Sequence, residues 1–144
     1  MKVAPKESSG LSLVAAYAVT AVVFLALDAT WLSLTAERLY RPALGHLMQA
    51  GFDLFPALAF YLVYFAGIVV FAVAPAAGRW RAAFGHGALL GLVAYSTYDL
   101  TNQATLRGWP WHVTAADLCW GTAVTALSAA AATFATARLG ARRG

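Results

Sequence analysis

Four stretches of this chain carry no Asp, Glu, Lys or Arg: residues 8–27, 54–78, 82–98 and 118–137. A helix needs about 20 apolar residues to cross a hydrocarbon core roughly 30 Å thick, and each stretch approaches that length. The third is the shortest, but it resumes after Asp99 and runs on to Leu106 before meeting Arg107. Continuous apolar runs predict helices rather than strands, because lipid offers no partner to the open edge of a sheet. The expectation is an all-α fold: one integral membrane domain over 1–144, a bundle of four transmembrane helices at about 11–35, 54–77, 83–106 and 115–137. A short interfacial helix is expected in 36–53, between helices one and two, where Leu44, Leu47 and Met48 recur at helical spacing beside His46 and Gln49.

Composition removes the competing classes. Of 144 residues, 61% are hydrophobic and 11% charged, against roughly 45–50% and about 25% in soluble domains. Too few charges remain to coat a water-facing surface, which excludes a soluble enzyme and a disordered chain. The lone Cys119 excludes an internal disulfide framework and a multi-thiolate zinc site. The net charge of +4 forms no stripe that could track a nucleic acid, so no nucleic-acid partner is expected. The cations sort by side instead. Lys2, Lys6, Arg79, Arg81, Arg138, Arg142 and Arg143 fall on one side of the predicted bundle, and Arg38, Arg41 and Arg107 on the other. The positive-inside rule then places both termini in the cytoplasm. The first apolar stretch is too long for a cleaved signal peptide and is expected to be retained.

The helix ends are marked chemically. Asp53 is a predicted N-cap with Pro56 in the following turn, and Pro75 and Gly78 close the same helix. Thr114 and Asp117 fit a capping box at the start of the fourth helix, which by itself would account for Asp117. Trp109 and Trp111 flank Pro110 in the preceding turn, at the height of an aromatic belt.

Asp28 and Asp99 are the anomalies. Each lies about seven residues, or roughly 10 Å, from the predicted outer end of its helix. An acid at the bilayer centre costs about 2.5–3.5 kcal/mol, less toward the interface, and faces a partner or a cavity. Two acids at one depth predict a polar pocket in the outer half, with a proton held between Asp28 and Asp99 if they meet. Gly87, Gly91, Tyr95, Asp99 and Asn102 form one helical stripe, whose two glycines admit a neighbouring helix. Tyr95, Tyr98 and Asn102 are the expected walls, Asp117 and Trp120 the opposite side, and Arg41 or Arg107 the rim. His46, His86 and His112 form no site among themselves, and no zinc-ligand spacing is present, so no metal ligand is assigned.

The string Tyr95-x-Thr97-Tyr98-Asp99-Leu100-Thr101-Asn102, followed by Ala104-Thr105 and Trp109-Pro110, resembles a family of small bacterial inner-membrane proteins catalogued as domain of unknown function 2177. The resemblance extends to Leu27-Asp28-x-x-Trp31-Leu32, Tyr40, Leu44-Gly45 and Asp117-x-x-Trp120-Gly121-Thr122. It implies a four-helix membrane protein in a membrane-lipid or envelope-stress setting, and it singles out Asp28, Asp99, Asn102 and Asp117. The leading expectation is a pocket that binds a small molecule, a cation or a lipid head group among membrane lipids. The alternatives are an enzyme acting on lipids, a small transporter working as a homo-oligomer, and a structural or assembly subunit.

Overall fold

The computed structural model describes residues 8–141, so Lys2, Lys6, Arg142 and Arg143 lie outside the described residues. Four long helices run up and down. Helix α1 is Ser8–Thr35, α2 is Leu54–Ile68, α3 is Trp80–Thr105 and α4 is Trp111–Ala141, with no strand among the described residues. The turn between α2 and α3 lies at the end shared by the start of α1 and the close of α4. The two other turns lie at the opposite, far end.

Helix α1 runs on past its expected end at residue 35, whereas α2 reaches Ala76, close to its expected end at residue 77, by way of a π turn. A π-helical turn, Ala36–Tyr40, carries α1 on into Arg41–Leu44, and another, Val69–Val73, carries α2 on into the 3-10 turn Ala74–Ala76. Each π turn ends two residues before a proline, Pro42 and Pro75. Proline has no N–H and crowds the carbonyl four residues back, and a locally wider turn relieves both problems without breaking the helix. The separate interfacial helix is therefore corrected. The helical segment between α1 and α2 is only Arg41–Leu44, continuous with α1, while Leu47 and Met48 sit in the turn that follows. Asp28 accordingly lies much further from the end of its helix than an end at residue 35 would put it.

Ser12–Leu44, Leu54–Ala76 and Trp111–Ala141 are long and apolar enough to cross a membrane. Helix α3 has the length, at 26 residues, but not the hydropathy, so three of the four expected spans meet both criteria. Its polarity is partly turned inward: Asp99 is buried on the same face as Gly87 and Gly91. The exterior is apolar, with Phe52, Phe55, Val63 and Phe71 all strongly exposed, whereas Thr20, Asp99, Thr125 and Ser128 are fully buried. This inversion of the soluble pattern suits a hydrocarbon solvent.

The seam between α3 and α4 is the tightest. A Cβ added at Gly87 would lie 2.8 Å from the Thr125 carbonyl oxygen, and one at Gly91 would strike the Gly121 carbonyl oxygen. The glycine pair thus lets two backbones touch, as its spacing predicts. Helix α1 packs on α4 and joins α2 through Phe24, whose ring meets Tyr61, Tyr64 and Phe65 edge-on. Against α2, helix α3 packs only on the stretch from Val69 to Ala76 and makes almost no contact with Leu54–Ile68.

The ends are mixed. Asp53 caps α2 by accepting the Phe55 N–H at 3.1 Å, and Ala77 and Gly78, both with positive φ, terminate the helical path through Pro75. The capping box at Thr114 and Asp117 is overturned. Helix α4 begins at Trp111, where the Pro110 carbonyl accepts from the Val113 and Thr114 amides. Both expected cap residues are therefore a turn or more inside the helix, and both are buried.

A buried carboxylate cluster at the far end of the bundle

The helix ends fix the depth of the site. Asp99 is six residues before Thr105, Asp117 six after Trp111 and Tyr61 seven after Leu54. At 1.5 Å per residue all three lie about 9–10 Å inside the far end.

Asp28 and Asp99 do not pair with each other. Asp28 accepts the Tyr61 hydroxyl at 2.7 Å on one oxygen and the Trp120 indole N–H at 3.2 Å on the other. Asp99 instead faces Asp117 across the α3–α4 seam. The reason lies in the glycine contacts, which draw those two helices together and leave α1 to be met by α2 and α4. Asp117, freed from any capping duty, accepts the Tyr40 hydroxyl, and Tyr40 in turn accepts the Trp31 indole N–H at 2.9 Å. Trp31 and Trp120 stack with centroids 4.6 Å apart and planes within 5°. The stacked pair therefore serves both ends of the cluster: one indole donates to Asp28, and the other reaches Asp117 through Tyr40.

The π turn explains how Tyr40 arrives. It sits nine residues beyond Trp31, at the end of the widened turn that keeps the helix going toward Pro42. A helix ending at residue 35 would have left it in a loop. Tyr95 is held from the other side. Its ring lies against Gly121, where any Cβ would collide with it, and its hydroxyl lies near Asp28 and Asp117. Tyr64 and Thr125 share a hydrogen bond of 2.9 Å below it.

Of the expected site residues, Asp28, Tyr95, Asp99, Asp117 and Trp120 converge. Tyr98 is mostly exposed and stacks edge-on against Trp109, and half-buried Asn102 neighbours Tyr98; neither hydrogen-bonds the three carboxylates. Arg41 is exposed and pairs with Glu37 at 3.0 Å rather than with the cluster. Trp109 is buried, not in a belt: its N–H donates to Thr114, which donates to Gln103, whose amide reaches the Trp109 carbonyl. That closed ring of contacts ties the α3–α4 turn beside the cluster. Residues that the chemical argument from sequence left out are Tyr40, Tyr61 and Tyr64. A signal for two of them was available, since Tyr61 and Tyr64 stand three apart on one face of a span otherwise made of apolar residues.

The electrostatic balance of the cluster is uneven. Asp28 has a donor on each oxygen and Asp117 has one donor. Asp99 is wholly buried, and neither of its oxygens meets a donor; the group within hydrogen-bond reach is the Asp117 carboxyl. A buried, unpaired carboxylate is among the most costly arrangements a protein can hold. With Asp117 within hydrogen-bond reach, Asp99 can be paired only by positive charge or by a proton shared between the two acids. No group of three His, Cys, Asp or Glu side chains among the described residues is placed to hold a metal ion. The surrounding indoles and phenols turn their N–H and O–H donors toward Asp28 and Asp117, and none of these donors reaches Asp99.

Residues 13–134 match the profile of a family described as a predicted membrane protein, DUF2177. No curated protein and no solved structure matches the chain. A match over that much of the sequence, on a helical fold with an apolar exterior, makes the chain a member of the DUF2177 family of membrane proteins.

Proposed function

We propose that this protein is a membrane-embedded receptor for an organic cation, an amine or ammonium group that binds between Asp99 and Asp117. The observation that carries this reading is Asp99 itself, wholly buried, with no donor on either oxygen and a second carboxylate within hydrogen-bond reach. When the site is empty, a proton shared by the two acids takes the place of the cation, and the amine exchanges for it. Trp31 and Trp120 supply the aromatic wall, Tyr40 and Tyr61 hold Asp117 and Asp28 in place, and Tyr95 closes the side toward α2. Tyr98 and Asn102 belong to the approach. The excess of Lys and Arg at the termini end supports an inner-membrane orientation with both termini in the cytoplasm, which puts the cluster in the periplasmic half.

The stacked indoles provide the test. Ethylamine titrated into purified protein is expected to change the tryptophan emission in a saturable way, with the change abolished in Asp99→Asn and Asp117→Asn. Asp53→Asn, at an exposed helix cap, is expected to respond as the unaltered protein does. No saturable response in the unaltered protein, or an undiminished one in Asp99→Asn, overturns the reading.

A further inference from the structure

The carboxylate cluster has a second feature that neither its hydrogen bonds nor its charge explains: a side opening toward lipid. Helices α2 and α3 are held together near the termini end by Val69, Ala72 and Val73, and they part toward the far end. Between them lies a crevice of about 460 Å³ lined by Phe60, Tyr64, Ala94, Tyr95 and Tyr98. A second cleft of about 370 Å³ follows between the same two helices, from Phe71 and Pro75 on α2's extension to His86 and Val93 on α3. From Tyr98 to His86 the two together run about 18 Å along α3, comparable to one leaflet, about half of a 30 Å core.

The crevice is not simply a gap for any lipid tail. Tyr95 forms part of its wall and, at the same time, lies against Gly121 with its hydroxyl near Asp28 and Asp117. Asp99 follows Tyr95 by one helical turn, and Tyr98 beside it lines the crevice. An apolar crevice that opens sideways thus lies beside the buried carboxylates, with the Tyr95 ring between them. The one class of molecule that matches both parts is an amphiphile with a cationic end.

Resting on the amine-receptor reading, we infer that the ligand is an amine-bearing lipid that enters from the plane of the membrane, its chain between α2 and α3 and its ammonium group at Asp99 and Asp117. A water-soluble amine would need no crevice, and an anionic lipid would be repelled where the crevice ends. The lateral opening also gives the long-chain ligand a route that the tied α3–α4 turn at the far end does not offer.

The experiment compares dodecylamine with ethylamine on full-length protein in phosphatidylcholine nanodiscs, with bound ligand counted by native mass spectrometry. Ala94→Trp fills the crevice. It is expected to weaken dodecylamine binding by at least about tenfold, a 1.4 kcal/mol change, and to leave ethylamine binding as it was. Phe60→Ala removes a largely lipid-facing wall residue and guards against a misfolded Trp variant. It is expected to weaken dodecylamine binding alone, and to a smaller degree. If both amines bind and neither variant separates them, the lipid inference falls while the amine receptor stands. If neither amine binds the unaltered protein, both fall together.

Discussion

Helix α3 meets one neighbour with glycine and the other with aromatic rings, and the two seams behave as opposites. Against α4, Gly87, Gly91 and Gly121 bring backbone onto backbone and leave no space for a methyl group. Against the first turns of α2, Phe60, Tyr64 and Tyr95 stand apart around an open crevice. In lipid, apolar surface gains little by leaving its solvent, so close association must come from shape and polar contacts. Small residues supply the shape on one seam. Large rings hold the other open, where lipid can fill it. One seam has no space for a side chain, and the other leaves space beside its rings.

The strongest test of that contrast is a residue that cannot fit the closed seam. Gly91→Val would drive a branched side chain into the Gly121 carbonyl oxygen and to within 2.8 Å of Thr125 Oγ1. Neither helix backbone can yield locally, so a loss beyond about 3 kcal/mol is expected, above the usual range for overpacking. Gly85→Ala lies on the same helix with nothing within 4 Å of the added methyl. It should gain about 0.5–1 kcal/mol from reduced backbone freedom. Reversible unfolding in mixed micelles measures both. If the two substitutions have similar effects, the seam is not held by close contact.

The carboxylates sharpen the comparison, because the same substitution should act differently at two of them. Asp28 accepts from Tyr61 and Trp120, one donor on each oxygen. Asp28→Asn leaves one of those donors facing an NH₂ group, which should cost about 1–3 kcal/mol. Asp99→Asn replaces the acid that shares a proton with Asp117 by an amide that still offers Asp117 a donor, so the empty protein should keep its stability to within about 1 kcal/mol while losing amine binding. A function lost with stability kept is the mark of a residue kept for its ligand. Equal losses at both positions would return Asp99 to a structural role.

Much of this was legible from residue order, and the parts that were not share a cause. Uncharged runs set the helix count. The spacing of Gly87 and Gly91 announced the closed seam, and Asp53 its cap. Depth came through for Asp99, because counting residues along a helix is counting distance, but not for Asp28, whose helix runs on to Leu44. What residue order does not carry is which helix stands beside which. Residue order puts Asp28 and Asp99 at one depth, yet Asp99 meets Asp117, because the glycines pull α3 toward α4. Asp117 looked like a cap because Thr114 precedes it by three, but Pro110 starts the helix a turn earlier and buries both. Tyr40 was unreadable as a site residue for a different reason. Its position depends on a π turn that exists to accommodate Pro42, and a periodicity of 3.6 has no place for it.

The smallest expected effect falls where the two seams come closest. Tyr64 lines the crevice with its ring and spans to α4 with its hydroxyl, 2.9 Å from Thr125 Oγ1. Thr125 is also the residue whose carbonyl and hydroxyl oxygens lie against Gly87 and Gly91, so this one hydrogen bond ties the open seam to the closed one. Tyr64→Phe removes the bond and keeps the ring, including its edge contact with Phe24 at 5.6 Å. Interhelical hydrogen bonds in membranes average about 0.6 kcal/mol, and a loss of that size is expected by micelle unfolding. Dodecylamine binding should stay within about twofold, less than 0.5 kcal/mol, because the apolar wall is unchanged. A loss of several kcal/mol would mean that the hydroxyl holds α2 against α4. The crevice would then be kept to its present width by that tether rather than by the size of its rings.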